Sequence, residues 1–280
     1  MIQWRDHRIE EVEIDLLLQA LKLRYGYDFT GYARASLKRR LKELQSYFDV
    51  KELSALIPPL LHDEGVAQTM VSNISVAVSE FFRDPPVWVY LRDEILSRLD
   101  SFPRINIWQA GCGRGQETYT LLILLHEAGL LKKVRLVATD INATVLDDAR
   151  NGRWPIRDYE AWEASYRAAG GAANFADYFQ REAGEVVVVE DLRKAVEFNR
   201  HNLVVDDVFM EAQLIVCRNV LIYFGEALQQ RVVNLFARSL QRGGYLLLGR
   251  AESLPVGDAG LFQHLPGDNV YRRGPGAAHV

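Results

Sequence analysis

The chain has 280 residues, 49% hydrophobic and 25% charged, with a formal net charge of −4; that is enough for a sizeable core and lacks the basic excess of a general polyanion binder. Its two cysteines, Cys112 and Cys217, make no disulfide framework and point to a reducing compartment. The charged first residues do not read as a signal peptide, and the longest apolar runs are too short to span a bilayer, so the expectation is a cytoplasmic protein with one small and one large domain.

The first hundred residues read as helical. Val12, Leu16, Leu17, Leu18, Leu21 and Leu23 recur at mixed helical spacing before Gly26 stops the run. Thr30 is placed to cap a second helix, about residues 33–47, with Leu37, Leu41 and Leu44 on its apolar face. Arg34, Lys38, Arg39, Arg40 and Lys42 lie on the rest of that helix, as a docking face for an acidic partner or simply as a solvated one. Pro58-Pro59 is expected to break a third helix, and Pro85-Pro86 to open a fourth that ends near Leu99. From Arg104 short apolar strands, at 105–110, 134–139, 196–199, 214–217, 245–248 and 269–272, alternate with helices at 117–127, 143–150 and 226–240. This alternation predicts an α/β fold whose parallel sheet is covered on both faces and binds ligands beyond the carboxyl ends of its strands. Residues 178–181 and 186–189 flank Glu182-Ala183-Gly184-Glu185 and read as a hairpin inserted between the second and third strands.

Four segments carry chemistry. Ala110-Gly111-Cys112-Gly113-Arg114-Gly115-Gln116-Glu117 links a strand to a helix, and its glycines let the turn run close to a ligand. A dinucleotide turn wants its third glycine where Gln116 stands, and no Gly-Lys-Ser/Thr closes the run as in a P-loop. The form suits a cofactor without phosphates, or else a tight turn with no ligand. Asp140 ends the next strand, where a carboxylate accepts both hydroxyls of a ribose or else caps the following helix. Cys217-Arg218-Asn219-Val220-Leu221-Ile222-Tyr223-Phe224 emerges at the same sheet edge. Tyr223 offers a ring face and a hydroxyl to a sulfonium or an acceptor, while Phe224 reads as core. Ser79-Glu80-Phe81-Phe82-Arg83-Asp84 joins the two parts, and Arg83 either reaches a cleft to pair with a carboxylate or stays on the surface beside Asp84. The histidines and cysteines have no metal-ligand spacing, so no metal is expected.

Together these segments resemble the CheR family, the chemoreceptor glutamate methyltransferases. The likeness covers nearly the whole chain: the helical N-terminal part, Phe-Phe-Arg-Asp at 81–84, the glycine turn followed by Glu117 and Tyr119, Ala-Thr-Asp-Ile at 138–141, Asn202-Leu203, the highly specific run at 217–224, and Gly243-Gly244 leading to Gly249 and Glu252-Ser253. The resemblance implies an all-α domain at 1–84 for substrate docking. It implies a Rossmann-like class I methyltransferase domain at 85–280, with a small antiparallel hairpin subdomain at about 174–192. It also implies S-adenosylmethionine as cofactor, S-adenosylhomocysteine as product, and glutamate γ-methyl esters on the acidic helices of a chemoreceptor-like partner. Arg83 and Tyr223 match the positions nearest the methyl transfer. Ala77, Ser79, Arg83, Gly111, Gly113, Glu117, Asp140, Ile141, Asn202, Leu203, Arg218 and Asn219 match cofactor contacts or border them, and Arg34, Lys38, Arg39, Arg40 and Lys42 match the element that meets the receptor.

The chain also departs from the family. Ala77 stands where the family commonly has asparagine, the glycine turn replaces Ala-Cys-Ser-Thr-Gly, Gln116 and Thr118 replace the Glu and Pro that bracket Glu117, and the hairpin loop is short. A monomer that neither binds nucleic acid nor inserts in a membrane is expected. Two rival readings are a methyltransferase of the same fold acting on another protein or a small molecule, and a cofactor-binding regulatory module without turnover; retention of Arg83 and Tyr223 speaks against the second.

Overall fold

The computed structural model describes residues 9–76, 79–255 and 260–274. The chain forms two compact units, Met1–Val76 with Tyr223–Gln229, and Ala77–Ile222 with Gln230–Val280.

In the first unit, α1 (Ile9–Tyr25) buries Ile14, Leu17, Leu18 and Leu21, and α2 (Arg34–Tyr47) buries Leu37, Leu41 and Leu44. α2 follows the one-sided spacing of an amphipathic helix, whereas α1 leaves Val12, Leu16 and Leu23 of its apolar run exposed. Thr30 does not cap α2: its hydroxyl and its N–H both donate to Asp28 Oδ1, at 2.6 and 3.0 Å, and Ala33 takes the cap position without a side-chain bond. Nor do the prolines break the third helix. They open it: in α3 (Ile57–His62) they occupy the first turn, where the missing N–H has no helical partner to lose. In α4 (Glu64–Ile74) the first turn is capped by Asp63, which accepts the Gly65 N–H at 2.8 Å. The 223–229 segment joins this unit through its backbone. Tyr32 and Phe224 form an antiparallel bridge, the Ala33 N–H donates to the Tyr223 carbonyl at 2.8 Å, and the Gly225 N–H donates to the Gly31 carbonyl at 2.8 Å.

The second unit begins with α5 (Pro85–Tyr90), which passes through a wide π turn at Leu91–Leu96 into α6 (Ser97–Leu99). Then come β1 (Ile105–Ala110), α7 (Gln116–Glu127), β2 (Val134–Asp140), α8 (Ala143–Asn151), β3 (Arg153–Pro155), α9 (Tyr159–Ala168), β4 (Phe179–Glu182), β5 (Glu185–Val188), α10 (Glu190–Arg193), β6 (Val196–Arg200) and β7 (Ala212–Cys217). In sequence α11 (Glu226–Ser239) starts in the first unit and ends in the second, leading to β8 (Leu240–Leu248), β9 (Phe262–His264) and β10 (Val270–Arg273).

The main sheet has the order β6-β2-β1-β7-β8-β10-β9. Its first five strands are parallel, and β10 runs antiparallel to both neighbours. Every residue of β7 is buried, and so are all of β1 except Asn106. Near-continuous apolar runs of this kind are what a sheet covered on both faces requires. The strand order reverses between β1 and β7, where such sheets place their ligands. The predicted hairpin is present as β4 and β5, and β3, absent from the sequence reading, extends it to a second sheet of order β3-β5-β4. Beside it an aromatic cluster holds the residues that precede Arg83. Phe81 packs against Trp154, Trp162, Phe175 and Phe179, and Phe82 packs against Tyr166 and Phe175. Each such ring pair adds about 0.5–1.5 kcal/mol beyond the area it buries. No helix among the described residues is long and apolar enough to cross a membrane.

Candidate functional site

The chain turns sharply where β1 ends. The N–H groups of Gly111 and Cys112 both donate to the Thr139 carbonyl, at 2.8 and 2.9 Å, which ties this turn to the end of β2. Gly111 has a φ of 73°, and a Cβ there would stand 2.4 Å from Val220 Cγ2. The turn therefore needs glycine for its backbone angle and for the close approach of the 217–222 segment. The first turn of α7 has no cap from its own neighbours. Ser79 supplies one across the fold, its Oγ accepting the Glu117 N–H at 3.2 Å.

Asp140, half-buried at the end of β2, accepts the Gly113 N–H on Oδ2 and the Asn142 N–H on Oδ1, both at 3.0 Å. It is not the cap of α8. Asn142 is, accepting the Thr144 N–H at 3.0 Å. Burial pushes the Asp140 carboxyl up, and the N–H groups of Asn142 and Gly113 pull it back.

Arg218 follows β7 and is the electrostatic centre of the site. Its side chain is 1% exposed, and its guanidinium bridges Glu117 Oε2 at 2.6 Å and Asp84 Oδ2 at 2.7 Å, lying 5.1 Å from the centre of the Trp88 ring. Gln109 Nε2 donates to the other oxygen of Glu117 at 3.2 Å. Burial pushes the Glu117 carboxyl up, opposed by the Arg218 charge. Asp84, so held, sits at a φ of 54°, and Phe82 at 53°. Between them the Arg83 carbonyl accepts the Trp88 indole N–H at 2.8 Å, and the Phe82 N–H donates to Thr120 Oγ1 at 3.0 Å. The backbone around Arg83 is thus fixed on both sides. Its half-buried guanidinium makes no hydrogen bond or ion pair among the described residues.

After Arg218 the chain enters a turn with Asn219 at a φ of 60°. The carboxylate of Glu252, which is buried, receives the backbone N–H groups of Gly249, Asn219, Val220 and Ile222 at 2.6, 2.9, 2.7 and 3.3 Å. Beyond β6, buried Asn202 forms a local turn, its Oδ1 accepting the Val204 N–H at 3.0 Å, with Leu203 buried next to it. Cys112 and Cys217 are buried, and burial pushes both thiols well up, so they pack rather than attack.

The structure therefore gathers Ser79, Gly111, Gly113, Glu117, Asp140, Ile141, Arg218 and Asn219 at the carboxyl ends of β1, β2 and β7, with Asn202 and Leu203 beyond the neighbouring β6. Ala77 lies outside the described residues. Tyr223 belongs to the first unit. The basic face of α2 is narrower than its sequence suggests. Arg34 pairs with Glu11 and Asp15, Lys38 with Glu10 and Glu11, and Arg40 with Glu43, while Arg39 and Lys42 are exposed without an ion pair among the described residues. Sequence reasoning gave no role to Asp84, Trp88 or Gln109, and noticed Glu252 only as part of a family run.

These residues suit a nucleoside cofactor with a cationic tail. The bend at Gly111 leaves no room for a side chain, the carboxylates of Asp140 and Glu117 stand at the carboxyl end of β2 and beyond that of β1, and the sequence has no P-loop. Fold and site define an S-adenosylmethionine-dependent methyltransferase. The CheR methyltransferase SAM-binding domain matches residues 77–271, and the CheR methyltransferase all-alpha domain matches residues 12–75. The chain belongs to the CheR methyltransferase family. It is 42% identical over 247 residues to Cher3 of Pseudomonas putida, covering 88% of this chain and 90% of that one. It is 30% identical over 250 residues to the chemotaxis protein methyltransferase of Listeria innocua (88% and 92% covered), and 32% identical over 227 residues to chemotaxis protein methyltransferase 1 of Vibrio cholerae (78% and 80%).

Proposed function

We propose that this enzyme esterifies glutamate side chains on the acidic helices of a chemoreceptor-like protein, in the reducing interior of the cell. The observation that carries this reading is Arg83, a guanidinium on a fixed backbone, one residue from Asp84 and the Arg218 bridge, with no carboxylate of its own among the described residues. Such a group pairs with a carboxylate brought by an acceptor. When bound, S-adenosylmethionine supplies a methyl group already activated on a sulfonium. A glutamate acceptor, with a reference pKa of about 4.3, is ionised at neutral pH, so no general base is needed. What remains for the protein is placement: Asp140, Glu117 and the Gly111 bend hold the cofactor, Arg83 holds the acceptor carboxylate, and Tyr223 orients it. Alignment of this kind is worth about 7–11 kcal/mol in favourable cases.

The test is methyl transfer from labelled S-adenosylmethionine to a purified chemoreceptor signalling fragment. The expected product is a base-labile label released as methanol; a base-stable label would mean N- or C-methylation and a different acceptor. Arg83→Ala and Tyr223→Phe are each expected to lower kcat by about tenfold or more, since small misplacements at the reacting atoms are costly. Full turnover in both variants would remove them from the reaction.

Docking has its own signature. Exposed Arg39 and Lys42 suit the rim of an interface with an acidic helix, so raised salt should increase KM for the protein substrate with kcat unchanged. Arg39→Glu with Lys42→Glu should do the same at low salt, and a KM indifferent to both would place docking elsewhere.

A further inference from the structure

A buried carboxylate is costly unless its oxygens are filled by hydrogen bonds or paired with a cation. Glu252 is 5% exposed and makes no ion pair among the described residues. Its four bonds are all to main-chain N–H groups: Oε1 takes Val220 and Ile222, and Oε2 takes Asn219 and Gly249. With Asn219 in the left-handed region, the N–H groups of this turn converge as they do in backbone anion sites. Here the anion is the protein's own side chain. Gly249 completes the block, since a Cβ there would lie 2.7 Å from both the Asn219 nitrogen and Glu252 Oε2.

We infer that Glu252 is a positioning residue for methyl transfer, holding the 219–222 turn in the shape that sets Asn219 and Tyr223. This rests on the methyl-transfer reading above. The turn leaves Arg218, anchored on Glu117 and Asp84, and leads directly into Tyr223, whose own carbonyl is taken by the Ala33 N–H. Glu252 fixes the peptides between these two anchors. Among the proposed cofactor contacts only Asn219 is bound by it; Asp140 and Glu117 make none of their hydrogen bonds to Glu252. Loss of the carboxylate should therefore spoil alignment more than binding. Glutamine cannot replace it, because the amide offers one acceptor oxygen and turns an NH2 group towards two N–H donors.

Three measurements on the full-length protein test this. In Glu252→Gln, kcat on the receptor fragment should fall by about tenfold or more, while the Kd for S-adenosylhomocysteine, read by calorimetry, stays within about threefold of wild type. In wild type, the amide protons of Asn219, Val220 and Ile222 should be protected from hydrogen exchange, and in the variant they should lose that protection while those of β1 keep theirs. A kcat within about twofold of wild type, or parallel loss of turnover and cofactor affinity, would overturn the positioning role. So would fast exchange of those three amides in wild type, a result that stands even if the variant does not fold. Wild type that binds S-adenosylhomocysteine but methylates no receptor fragment condemns the proposed acceptor instead, and the wild-type exchange pattern then decides for or against Glu252.

Discussion

Replacing Arg218 by methionine should cost the second unit about 3–5 kcal/mol of stability. The side chain is 1% exposed and serves two carboxylates at once, so its loss strands both Glu117 and Asp84. A buried ion pair contributes little net stability, but removing one partner leaves an uncompensated charge, here the buried carboxylate of Glu117. The deficit should also depend on pH. Burial raises the Glu117 pKa in the folded protein, so between the unfolded and folded values the folded state holds a proton that the unfolded chain has already released. That term favours folding at low pH and is lost as pH rises through the folded value. Without Arg218 the pKa climbs further, and the penalty should be larger at mildly alkaline pH than at mildly acidic pH. Urea unfolding of both proteins across that range measures it. Equal stability of the two at all pH values would mean that the bridge is not formed in solution.

Gly111→Ala should abolish detectable cofactor binding. A φ of 73° costs a side-chain-bearing residue about 1–2 kcal/mol, and the new methyl would meet Val220 Cγ2 at 2.4 Å, an overpacking worth a further ~1–3 kcal/mol. Relief requires the turn or the 217–222 segment to move, and each carries proposed cofactor contacts. Gly129→Ala is the matched control. Gly129 has nearly the same φ, 71°, at the end of α7, with nothing within 4 Å of its would-be Cβ. It should lose only the conformational part and bind S-adenosylhomocysteine normally. Calorimetry on the pair separates angle from crowding, and equal affinity in both variants would show that the bend at Gly111 tolerates a side chain.

The central strands of the main sheet were legible because burial on both faces leaves unbroken apolar runs, and β1 is found at the residues its sequence marks, whereas the three-residue edge strand β9 went unread. By contrast β3 has three residues and includes a proline, too little for any periodic signal. Pro58 and Pro59 misled because the same missing N–H that ends a helix also suits its first turn. At the site, the glycine bend and Asp140 announce themselves by position after a strand. The partners of Arg218 do not: they lie 101 and 134 residues away along the chain, and no local pattern joins them. Glu252 is hidden in the same way, 30 to 33 residues from the three turn peptides it binds. Side chains that act on backbone leave no mark in their neighbours' identities, whereas those that act by spacing within one element do.

Both sulfhydryls of the chain are locked inside the α/β unit, Cys112 at 1% and Cys217 at 0% exposure. The protein thus presents an outer face with no reactive sulfur. A single cysteine introduced anywhere on that face will be the one position that maleimide dyes or spin labels find, which makes the native sequence a ready background for watching a partner arrive.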